Sequence, residues 1–136
     1  MRLVLDTNTA LSGLLWGGTP AKLLDASIEG RIELISSTPL LAELQGVLMR
    51  PKFDKQLTRK GLTVADVFEG YAALVTVVTP AVIAPTIIRD PADDQVLAAA
   101  LGGCADIIVS GDAHLLDLGQ YQGIQIIDAA AALHQL

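Results

Sequence analysis

Short aliphatic runs alternate along the chain with helix-start signals. Leu3–Leu5 reads as a buried strand, followed by a helix over Thr9–Trp16 that Gly17-Gly18 interrupts. Thr19-Pro20 opens the next helix, with Thr as N-cap and Pro in the first turn. That helix runs to Ile28 or Glu29 and stops at Gly30, before a second strand at Ile32–Ile35. Thr38-Pro39 repeats the start signal for a helix through Leu48 or Met49. A short helix is expected near Lys52–Thr58, then one over Val64–Leu74 capped by Thr63, with Val64, Val67, Phe68, Tyr71 and Leu74 at helical spacing. Three further strands are expected at Val75–Thr79, Asp106–Val109 and Gly123–Ile127. Between them, a helix begins at Asp93 or Asp94 and runs through Leu101; Ser110-Gly111-Asp112 makes a tight turn, and Asp128–His134 a last short helix. Pro85 leaves Ile83–Ile88 without a clear assignment.

Strands alternating with helices predict parallel pairing through right-handed crossovers. The expected architecture is α/β, a three-layer α/β/α sandwich around a mostly parallel five-stranded sheet. No linker, repeat or low-complexity segment divides the chain, so residues 1–136 are expected to form a single domain. The composition agrees: 51% of residues are hydrophobic and only 4% aromatic, which suits a sheet covered on both faces. No apolar run approaches the roughly 18–20 residues that span a bilayer, so no membrane partner is expected. Asp6 and Asn8 also break the N-terminal apolar stretch that a signal peptide needs. Cys104 is the single cysteine, which excludes an internal disulfide and is consistent with a reducing, cytoplasmic setting.

Charge sharpens the picture. The net charge is −6, which argues against simple coating of nucleic acid. Yet Arg50, Lys52, Lys55, Arg59 and Lys60 hold five of the nine basic residues within one short stretch. The acids recur at strand ends and helix starts. In parallel α/β sheets both of these face one edge, where ligands collect. Asp6 follows the first strand, Glu43 lies in the helix after the second, Asp94 starts the helix DQVLAAAL, and Asp112 follows the fourth strand. Close carboxylates repel one another, so a cluster must be protonated, solvated or bound to cations. Hard oxygen ligands without thiolate or paired imidazole favour Mg²⁺ or Mn²⁺. Each acid also has an ordinary role available: Asp6 as helix cap, Glu43 as a solvated helix residue, Asp94 or Asp93 as a helix-start acid, Asp112 as a turn residue.

LDTN at Leu5–Asn8, the Glu after strand two, D-x-x-L-A at Asp94–Ala98 and V-S-G-D at Val109–Asp112 occur in order, and together they resemble a PIN-domain ribonuclease. The spacing is closest to the compact bacterial branch of VapC-type toxins. The resemblance implies that Asp6, Glu43, Asp94 and Asp112 are catalytic and hold the metal, with Asn8 and Ser110 in support. Asp90, Asp93 and Asp117 are weaker candidates. It further implies Mg²⁺- or Mn²⁺-dependent hydrolysis of RNA and control by a cognate antitoxin. A homodimer is expected separately, from the apolar faces of the helices Thr38–Met49 and Val64–Leu74. The basic residues Arg50, Lys52, Lys55, Arg59 and Lys60 would then contact RNA phosphates, or else form a solvated surface. His114 and His134 are expected at the surface. Trp16 is expected to pack in the core or an interface, with base stacking as the alternative, and Phe68 and Tyr71 to face the core. A haloacid-dehalogenase-like phosphotransferase fits poorly, because Asn8 stands where its second Asp is needed. A receiver domain lacks its acidic pair at Asp6-Thr7. The remaining alternative is a PIN-fold binding scaffold with little catalysis.

Overall fold

The structure is a computed structural model that describes residues 1–86 and 91–136. Ile87, Ile88 and the candidate Asp90 lie outside the described residues. Six strands form one sheet: β1 (Arg2–Leu5), β2 (Glu33–Ser36), β3 (Thr76–Val77), β4 (Ile107–Val109), β5 (Gln120–Tyr121) and β6 (Ile124–Ile127). Their order is β3-β2-β1-β4-β6-β5, parallel throughout except for β5 against β6. The expected fold is therefore present with one additional strand. That strand is a two-residue edge pair, turned back through Gln122 and Gly123, both at positive φ. Two residues give no readable alternation, which is why the pattern does not announce it.

Eight α-helices are present among the described residues: α1 (Thr7–Leu15), α2 (Gly18–Ile28), α3 (Thr38–Leu48), α4 (Asp54–Lys60), α5 (Val64–Leu74), α6 (Pro91–Gly102), α7 (Ala113–Leu118) and α8 (Ala129–His134). A single 3-10 turn, Pro51–Phe53, precedes α4. Several caps shift by a residue or two. Asp6 caps α1 through Thr9 N–H, so α1 begins before the expected Thr9. Ser37 rather than Thr38 caps α3, and α2 starts at Gly18. Thr63 and Asp66 form a reciprocal capping box on α5. β3 is shorter than Val75–Thr79: both of its residues are exposed at the sheet edge, and Pro80 follows closely.

Alternation along the strands divides the core. Leu3, Leu5, Ile107 and Val109 join the buried residues of α1, α2, α3 and α5 on one face. Val4, Ile35, Ile108 and Ile126 join α6 and Leu115 of α7 on the other. Helix α6 is also gripped from outside: Ala81 N–H donates to Ala98 O at 2.9 Å, and Thr86 N–H donates to the Asp94 carboxylate. The extended segment 79–86 thus straps α6 onto the sheet, and α6 is apolar on most of its circumference for that reason. The strand order reverses between the parallel neighbours β1 and β4, which places a crevice beyond their carboxyl ends.

Candidate active site

That crevice is acidic. Asp6 ends β1 and is 5% exposed. Its Oδ1 accepts Thr9 N–H at 2.8 Å, and its Oδ2 accepts the hydroxyl of Ser110 after β4. Ser110 is itself buried, and its Oγ accepts Asp112 N–H at 2.9 Å. One hydroxyl therefore ties the ends of β1 and β4 together and fixes both acids. Asp112 caps α7, its Oδ1 accepting His114 N–H at 2.8 Å and Leu115 N–H at 3.4 Å. The Ser110-Gly111-Asp112 turn is thus also a helix start.

Asp6, Thr7, Asn8, Glu43, Asp93 and Asp112 line one small cavity, closed below by Ala92 and Val96. Its volume is about 60 Å³, room for a few waters or a partly hydrated cation. Four carboxylates line this space, and among the described residues no lysine or arginine does. Thr7 Oγ1 is buried there without a hydrogen-bond partner among the described residues. Glu43 reaches the cavity half-buried from α3, so it is neither core nor freely solvated.

Asp94 does not line the cavity. It accepts Thr86 N–H at 3.1 and 3.3 Å and borders the cleft under the 79–86 strap. Asp93, 9% exposed, takes the cavity position instead. Adjacent helix residues differ by about 100° in direction, and here the Asp94 carboxylate turns to Thr86 on the strap while Asp93 lines the cavity. Asp117 and His114 are exposed on α7, and His134 is exposed on α8. Tyr71 is buried in the core, and burial followed by the negative charge of Asp6 pushes its phenol above the usual tyrosine range. Phe68 is half-buried beside the same core, as expected.

A family model described as PIN domain matches residues 2–114. This chain belongs to the PIN domain family. A comparison with curated proteins finds no match. In this PIN domain the matched span contains the whole crevice, from Asp6 to Asp112.

The donor set among the described residues suits a hard divalent cation: carboxylate oxygens, a threonine hydroxyl with no hydrogen-bond partner there, and no sulfur or imidazole. Among the described residues, no three acidic, histidine or cysteine groups already stand in ligating arrangement around a common point. The cluster of five basic residues lies elsewhere in the PIN domain. Arg50, Lys52, Lys55, Arg59 and Lys60 are all exposed, beyond the carboxyl end of α3, and none lines the acidic cavity. Trp16 is 56% exposed rather than packed in the core; it sits edge-on to Phe53 with ring centroids 5.6 Å apart.

Proposed function

We propose that this PIN-domain protein is a ribonuclease that hydrolyses RNA phosphodiester bonds with the help of Mg²⁺ or Mn²⁺. The observation that carries this reading is the convergence of Asp6, Glu43, Asp93 and Asp112 on one cavity that, among the described residues, no cationic side chain lines. Such a cluster needs positive charge, and an RNA phosphate brings none. Asp6, Glu43, Asp93 and Asp112 would hold the metal. When bound, it neutralises the phosphate and lowers the pKa of water.

The chain's own groups have separable tasks. Asp6 is held by Thr9 N–H and Ser110 Oγ, so its carboxylate keeps one orientation as substrate enters. Asp112, pinned by the first turn of α7, retains Oδ2 for a ligand. Asn8, exposed at the rim, offers an uncharged amide to the sugar or base beside the scissile phosphate. In the finer reading, drawn from the order of motifs alone, the enzyme is a VapC-like toxin that a cognate antitoxin restrains.

The test is cleavage of a panel of labelled RNAs by the purified chain with Mg²⁺, with Mn²⁺ and with EDTA, beside Asp6→Asn. Cleavage that EDTA abolishes and Asp6→Asn loses is expected. Cleavage unchanged by both contradicts the proposal. RNA binding without turnover under every condition points to the scaffold alternative.

A further inference from the structure

Helix α1 is covered on every side but one. Leu11 and Leu15 are buried in the core, and Gly13 lies so close to α2 that a Cβ there would stand 3.0 Å from Leu24 Cδ1. The uncovered side carries Asn8, exposed; Ser12, half-buried; and Trp16, 56% exposed. Spaced four residues apart, they form one stripe running roughly 12 Å down the helix.

The stripe connects two features that are otherwise separate. At its upper end Asn8 lines the acidic cavity. Below it a second cleft, about 440 Å³, is bordered by Asn8, Ser12, Pro20 and Gly111, with Asp112 its single charged residue. At the lower end Trp16 meets Phe53, whose ring lies 5.1 Å from Lys52 Nζ. Gln56 Nε2 donates to Leu15 O at 2.6 Å and anchors the basic segment to the end of α1.

We propose that this stripe is a track for single-stranded RNA, leading from the cavity to a base stacked on Trp16; it rests on the reading of the cavity as a phosphodiesterase centre. The chemistry changes along the track as a nucleic-acid strand requires. The cleft offers a hydroxyl and an amide, suited to sugars and base edges, and no cation to bind phosphate. Trp16 offers an aromatic face, and any base can stack on it. Lys52, Arg50 and Lys55 stand in the segment beside it to take phosphates. A span of roughly 12 Å accommodates about three or four stacked nucleotides. A protein surface would also cover an exposed tryptophan. Five cations gathered in a chain of net charge −6 favour a polyanion instead.

Trp16 is the sole tryptophan, so its fluorescence reports on the end of the track directly. The experiment titrates the chain with a ten-nucleotide single-stranded RNA in low salt and EDTA. Quenching of Trp16 is expected. Trp16→Ala should weaken binding about tenfold, in the range of one base–aromatic stack, and Trp16→Phe should recover part of that loss. Thermal unfolding of each variant checks that it is folded. RNA bound without quenching, Trp16→Ala binding as tightly as wild type, or no RNA binding would each overturn the track. So would a variant that loses self-association but keeps its RNA affinity, because a second copy would then cover the patch. Quenching without hydrolysis in Mg²⁺ sinks the nuclease reading and leaves the track. Hydrolysis with Trp16 unaffected does the reverse.

Discussion

Asp6 does two things at once, and its neighbours make both possible. It caps α1 through Oδ1 and takes the Ser110 hydroxyl on Oδ2, yet each oxygen keeps a lone pair for a further ligand. Its charge is also felt beneath the site. Tyr71 is buried, and desolvation together with Asp6 holds its phenol protonated well above the ordinary value of 10.0. Because the folded-state value is raised, the associated stability is complete below pH 10 and is lost as pH rises beyond it. There the unfolded chain releases a proton that the folded chain keeps, at about 1.4 kcal/mol per pH unit. Urea denaturation between pH 9 and 11.5 should show this loss in wild type and a flatter profile in Tyr71→Phe. Equal slopes in the two proteins would contradict it.

Among the elements, α6 and its strap determine which acid reaches the crevice. Gly102 lies against the strap, where an added Cβ would stand 2.2 Å from Thr79 O. Gly102→Ala should therefore push the strap away, cost about 1–3 kcal/mol, and speed hydrogen exchange at Ala81 N–H, which bonds to Ala98 O. Unchanged exchange at Ala81 would refute that contact. The strap also marks where the sequence is hard to read. The strands around Asp6 and Asp112 and the helix starts were legible, since apolar runs, Thr-Pro pairs and capping residues act locally. The 79–86 segment makes no sheet ladder; its hydrogen bonds go to a helix carbonyl and to a carboxylate. Helix α6, buried on most sides, has no apolar stripe to reveal its orientation. Burial pattern therefore does not choose between Asp93 and Asp94; motif spacing favours Asp94, whereas the structure turns Asp94 to the strap and leaves Asp93 on the cavity. Trp16 is similar: an apolar helix end reads as core, whereas its position at the last turn of α1 leaves it beside the basic segment.

At the scale of the molecule, the fold separates charge. The acids gather at the switch point between β1 and β4, while five of nine basic residues lie beyond the end of α3. No helix among the described residues is long and apolar enough to cross a membrane. Under the proposed function, a polyanionic substrate would be held by one region and cut in another, with cations in the acidic cavity. Asp93 belongs to that cavity and Asp94 to the strap. The most direct measurement follows cleavage of one labelled RNA across a Mg²⁺ titration for wild type, Asp93→Asn and Asp94→Asn. Asp93→Asn should lose about 100-fold or more with a raised metal requirement, and Asp94→Asn should cleave at a rate close to wild type. The opposite order, or wild-type cleavage by Asp93→Asn, would contradict it.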